Sequence, residues 1–138
     1  MAKSNPGLQK KTILVVDDEI GIIEVLESIL RDAGYNVVTA MNGREALAQM
    51  EQRRPDLVLM DFMMPLLDGA GVLQHMRSSD SLKATPVILA SALSENTVRE
   101  RCTGYNAFLR KPFKTGRLMK EIARILGYSS DNPEPLGA

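Results

Sequence analysis

Between residues 12 and 127, short blocks of apolar residues alternate with stretches whose apolar positions recur every three or four residues. Five blocks read as strands: 13–17, 36–40, 56–61, 86–91 and 107–111. Most are apolar nearly throughout, as parallel strands covered on both faces should be. The second, Asn36-Val-Val-Thr-Ala40, is more polar and is expected at an edge.

Helical spacing fills each gap. After the first strand, Ile22, Ile23, Leu26, Ile29, Leu30 and Ala33 share one face, with Glu24, Glu27, Ser28 and Arg31 opposite. Gly34 follows where a left-handed cap residue is wanted. Ala46, Leu47 and Met50 repeat the spacing after Asn42-Gly43, and Val72, Leu73 and Met76 do so after Gly69-Ala70-Gly71. A fourth helix is predicted to start with Ser94 as N-cap and to carry a thin stripe of Val98 and Cys102. The last runs through Leu118, Met119, Ile122, Ile125 and Leu126 and stops at Gly127. Strict alternation implies right-handed crossovers and an α/β fold with a doubly wound parallel sheet. Five strands and five helices suit the flavodoxin-like order 2-1-3-4-5, which fold knowledge supplies and the alternation alone does not.

The chain of 138 residues suits one domain, at 12–127, between a loose N-terminus (1–11) and a tail or linker remnant (128–138). Lysine plus arginine equal aspartate plus glutamate at 17 each, which gives no electrostatic case for nucleic acid or an acidic membrane surface. No apolar run approaches a bilayer span, and the first eleven residues hold no apolar core of a secretory signal. One cysteine, Cys102, forms no internal disulfide, so a reducing cytoplasm is the simplest address.

The chemistry collects at the strand ends. Strand one ends in Asp17-Asp18, strand three in Asp61, strand four in Ser91 and strand five in Lys111, while strand two ends without an ionisable residue. In open α/β sheets ligands bind beyond the carboxyl ends of the strands at the switch point, so these residues should converge. Three carboxylates in one cleft repel unless a cation intervenes. All-oxygen ligands suit a hard cation, and Mg²⁺ fits best beside phosphate. A lysine and a hydroxyl complete a set able to handle a phosphoryl group. Singly, each has a plainer reading: Asp18 as a helix cap, Asp61 as an Asx-turn, Ser91 as a turn hydroxyl, Lys111 as a solvated surface group.

Asp17-Asp18-Glu19, Asp61-Phe-Met-Met-Pro-Leu-Leu-Asp-Gly69, Ser91-Ala92 and Lys111-Pro112-Phe113 together resemble the motif set of response-regulator receivers over about residues 12–127. The resemblance implies Asp61 as phosphoacceptor, and Mg²⁺ held by Asp18, Asp61 and the Met63 backbone carbonyl, with Asp17 acting through water. It implies that Lys111 pairs with the phosphoryl group, that Ser91 bonds to it once attached, and that Phe108 swings inward as Ser91 moves. The Lys111-Pro112 bond would be cis. The implied partners are a sensor histidine kinase or a histidine phosphotransfer protein and a downstream protein effector, reached by a surface of the fourth helix, fifth strand and fifth helix. Ile20, Met63, Met64 and Leu66 are candidates for kinase contact.

Some features depart from that pattern. Phe108 stands where Tyr is common, and an apolar Met63 borders the path of attacking water. Gly104-Tyr105-Asn106-Ala107 lacks the acidic pair of members that dimerise there, so a monomer or a weak phosphorylation-dependent dimer is expected. His75 reads as a surface histidine, Cys102 as a helix-face residue and most methionines as core. A Mg²⁺-dependent aspartyl-phosphate phosphatase would want Asp at position 63, and a flavin carrier would want a Ser, Thr and Gly loop where Asp17-Asp18-Glu19 stands. A binding-only receiver is the remaining alternative. The module is expected to catalyse its own modification without being a turnover enzyme, and no effector domain is visible in the sequence.

Overall fold

In the computed structural model, which describes residues 10–127, five parallel strands alternate with five helices. The order along the chain is β1 (Thr12–Val16), α1 (Ile20–Asp32), β2 (Asn36–Ala40), α2 (Gly43–Gln52) and β3 (Leu57–Asp61). It continues with α3 (Gly69–Arg77), β4 (Val87–Ser91), α4 (Glu95–Arg99), β5 (Ala107–Arg110) and α5 (Thr115–Leu126). The sheet order is β2-β1-β3-β4-β5, with β2 at an edge as its polarity predicts. Residues 128–138 and all of the N-terminal segment except Lys10 and Lys11 lie outside the described residues.

Side chains alternate across the sheet, so the apolar strands feed two cores. Leu14, Val16, Val58, Met60, Val87 and Leu89 face α2, α3 and α4, where they meet Ala46, Met50, Val72, Leu73, Met76 and Val98. Ile13, Val15, Leu57, Leu59, Ile88 and Leu109 face α1 and α5, where they meet Ile23, Leu26, Leu30, Leu118 and Ile122. This two-sided burial is why the strand blocks read as continuous apolar runs.

Helix ends follow local chemistry. Gly34 has φ 101°, and the Gly34 and Tyr35 N–H groups donate to the carbonyls of Arg31 (3.0 Å) and Leu30 (3.1 Å), closing α1 in a Schellman motif. The Ser94 hydroxyl accepts from the Thr97 N–H and caps α4 as expected.

Several expectations need adjusting. On the predicted face of α1, Ile23, Leu26 and Leu30 are buried and Ala33 packs against the same core, whereas Ile22 is exposed and borders a groove. α4 has only five residues, so Cys102 lies past its end, half-buried, with burial raising its thiol pKa. Met50, Met60 and Met76 are buried and Met64 and Met119 pack against the core, but Met41 and Met63 are exposed. His75 is exposed, as read. Among the described residues no helix is long and apolar enough to cross a membrane.

Candidate functional site

Three strands deliver the acids and the lysine to one cleft. β3 ends on Asp61 itself, opposite Ala90 of β4. β1 and β5 stop one residue earlier than predicted, so Asp17 and Lys111 stand just beyond them. Both stay tied to the sheet through their main chains: Asp17 N–H donates to the Ala40 carbonyl at 3.1 Å and Lys111 N–H to the Ser91 carbonyl at 2.8 Å. The Lys111–Pro112 bond is cis.

Carboxylate oxygens of Asp17, Asp18 and Asp61 lie within 4.8 Å of one another. Two opposite ligands of an octahedral Mg²⁺ stand about 4.2 Å apart, so this oxygen set matches one such ion with a carboxylate reaching it through water. Asp18 is not used as a helix cap: Glu19 is the N-cap of α1 and makes no side-chain cap bond. Asp17 is buried, its Oδ1 accepting from the Glu19 N–H at 3.0 Å and its Oδ2 from Lys111 Nζ at 2.8 Å. Lys111 Nζ also stands 3.5 Å from Asp61 Oδ2.

The electrostatics show unrelieved crowding. Asp61 has its pKa raised from 3.8 to about 6, first by burial and also by the charge of Asp17, against the opposing pull of Lys111 and the Met63 N–H. Burial works against the charge of Lys111, but its bond to Asp17 and the nearby charges of Asp61 and Asp17 outweigh that and raise its pKa. A divalent cation would relieve the repulsion that one ammonium leaves in place.

The other predicted residues lie on β4, β5, the β3–α3 loop and the start of α1. Ser91 is buried at the end of β4, and its oxygen accepts from the Leu93 N–H at 3.0 Å, with its proton still able to donate. Phe108 is half-buried against the α2–α3–α4 core, its ring 6.4 Å from that of Tyr105 at 54°. Met63, Leu66 and Ile20 are exposed, whereas Met64 packs partly into the core. Sequence reading missed Ile22 and Val25 as surface residues. They line a groove of about 460 Å³ between α1 and the β5–α5 loop, with Ile29, Lys111, Pro112 and Phe113. A signal existed: α1 carries more apolar residues than one buried face can use.

Comparison with known proteins agrees with this geometry. The family described as "Response regulator receiver domain" matches residues 13–123. The chain is 42% identical over 130 residues to "Probable transcriptional regulator ycf27" of Cyanophora paradoxa, covering 91% of this chain and 52% of that protein. It thus spans about half the length of the curated relatives it matches. Among solved structures, the receiver domain of sensor histidine kinase PA1611 from Pseudomonas aeruginosa PAO1, with magnesium coordinated in its active-site cleft, aligns with TM-score 0.80 and 33% identity. That alignment covers 86% of this chain and 99% of that one. Chemotaxis response regulator CheY4 of Vibrio cholerae aligns with TM-score 0.79 and 33% identity over 86% of this chain and 100% of that one. With its fold, its convergent acids and a family match across most of its length, the chain belongs to the response regulator receiver domain family.

Proposed function

We propose that the chain accepts a phosphoryl group on Asp61 from a phosphohistidine of a sensor histidine kinase or histidine phosphotransfer protein. The observation carrying this is the convergence of Asp17, Asp18, Asp61 and Lys111 at the carboxyl ends of the strands. Mg²⁺, held by Asp18, Asp61 and the Met63 carbonyl with Asp17 through water, would neutralise charge on the phosphoryl oxygens. An Asp61 carboxylate oxygen attacks phosphorus in line, the new O–P bond forms, and the P–N bond to the donor imidazole breaks. Lys111 leaves its bond to Asp17 to pair with a phosphoryl oxygen, and the Ser91 proton turns toward another. Phe108 follows Ser91, and the α4–β5–α5 surface changes for a protein effector.

The chain modifies itself and does not turn over a substrate. The α1 groove lined by exposed Ile22 and Val25, with exposed Ile20 at the start of the same helix, suits the apolar face of a donor helix. A cytoplasmic setting suits both the partners and the single free cysteine. We assign the chain no nucleic-acid contact, because its balanced charge offers no basic excess.

The test is intact mass after incubation with a small phosphodonor, with and without Mg²⁺, on wild type and Asp61→Asn. One added phosphoryl group that requires both Mg²⁺ and Asp61 is the expected result. No gain under any condition would leave a binding-only module.

A further inference from the structure

Gly43 opens α2 and is buried, and its surroundings leave no room for a side chain. A Cβ there would overlap the Leu67 carbonyl oxygen and come within 2.9 Å of Leu67 Cβ and 2.8 Å of Val72 Cγ2. Leu67 belongs to the β3–α3 loop, so α2 is pressed directly onto the backbone that follows Asp61. Leu67 is also gripped from α3, where a Cβ on Gly71 would overlap its Cδ1.

That loop has little slack. The Leu67 N–H donates to the Pro65 carbonyl at 2.8 Å across Leu66, which has φ 71°. This tight γ-turn is a strained conformation for a residue other than glycine. The Gly69 N–H donates to the Phe62 carbonyl at 2.7 Å and closes the loop at its base. Asp68 caps α3 by accepting from the Gly71 N–H at 2.9 Å. At the loop's other end the Met63 N–H faces the Asp61 carboxylate closely enough to oppose the rise in its pKa. A shift at Leu67 is carried by this braced loop toward its base and toward Met63.

We propose that Gly43 is a positioning residue for the metal. Its missing side chain lets α2 seat Leu67, and that seat holds the Met63 main chain where its carbonyl and Asp61 reach the same cation. The inference rests on the site reading above and adds a residue from a different βα unit, one that touches neither metal nor phosphoryl group.

Mg²⁺ titration by calorimetry on the folded chain tests it, with wild type, Gly43→Ala and Gly116→Ala. Gly116 lies in α5 with open space around its Cβ, so it controls for adding a methyl group to a helix. Gly43→Ala should bind Mg²⁺ at least about tenfold more weakly while Gly116→Ala matches wild type, a change of about 1.4 kcal/mol. The Met63 amide resonance, which should move on Mg²⁺ addition in wild type, should respond far less in Gly43→Ala. Should Gly43→Ala not fold, Leu67→Gly loosens the same seat without a clash and should also weaken Mg²⁺. A Gly43→Ala (or Leu67→Gly) protein with a lower melting temperature but unchanged Mg²⁺ affinity would reduce the contact to packing and overturn the proposal. A wild type that binds no Mg²⁺ would overturn the site reading itself.

Discussion

The two ends of the sheet use polar residues in opposite ways. At the amino ends of the strands, side chains close exposed backbone. Asp56 accepts from the Thr12 N–H at 2.7 Å, and the Asn106 amide oxygen accepts from the Val87 N–H at 2.8 Å. The Arg77 guanidinium donates to the Gly104 carbonyl at 2.6 and 2.9 Å and to the Thr85 carbonyl at 2.9 Å. It thereby staples the end of α3 to the loops before β4 and β5. At the carboxyl ends, three carboxylates share one cleft with Lys111. One end satisfies its groups. The other keeps a carboxyl whose proton affinity is raised by burial and by a neighbouring acid. Such unrelieved charge lowers the stability of the folded chain and is retained where chemistry needs it.

The largest break in this contrast comes from removing the Lys111 ammonium from the cleft. Lys111→Gln leaves Asp17 and Asp61 without their ammonium and the phosphoryl oxygens without a partner. Phosphoryl uptake from a small donor should slow by about 10²-fold or more, followed by intact mass over time. The opposite end should behave in the opposite way. Arg77→Met strips the carbonyls of Gly104 and Thr85 of their donor and should lower unfolding stability by about 2 kcal/mol in urea titration. Phosphoryl uptake at a temperature where the variant is folded should stay within about twofold of wild type, because Arg77 touches nothing in the cleft. A smaller effect is expected of Asp56→Ala, which unpairs the Thr12 N–H at the start of β1. Its loss of about 1 kcal/mol should again leave uptake unchanged. An Arg77 or Asp56 variant that stayed stable but lost phosphoryl uptake would erase the distinction between the ends.

The carboxyl end was far more legible in the sequence than the amino end. Asp17, Asp61, Ser91 and Lys111 each follow an apolar run, and a parallel sheet brings run ends together whatever the loops do. Strand limits moved by only one residue, because Asp17 and Lys111 keep a main-chain bond to the next strand after the ladder ends. Arg77 reaches Gly104 across 27 residues and Gly43 meets the distant Leu67, and no periodicity marks either contact. Ile22 was misjudged and Val25 passed over for a related reason. Helical spacing separates faces but does not say which apolar face a neighbour covers. The γ-turn at Leu66 left no trace either, since its left-handed residue is a leucine.

The contrast reduces to one comparison: urea unfolding of the metal-free chain as wild type and Asp61→Asn, at about pH 7 and about pH 5. Asp61 binds its proton more tightly folded than unfolded, so its ionisation destabilises the fold above about pH 6, and stability returns as pH falls toward 4. Asp61→Asn should therefore be more stable than wild type at about pH 7, with the gap narrowing at about pH 5. An Asn variant that is less stable than wild type at both values would contradict the account, because Asp61 would then be a stabilising residue like Asp56.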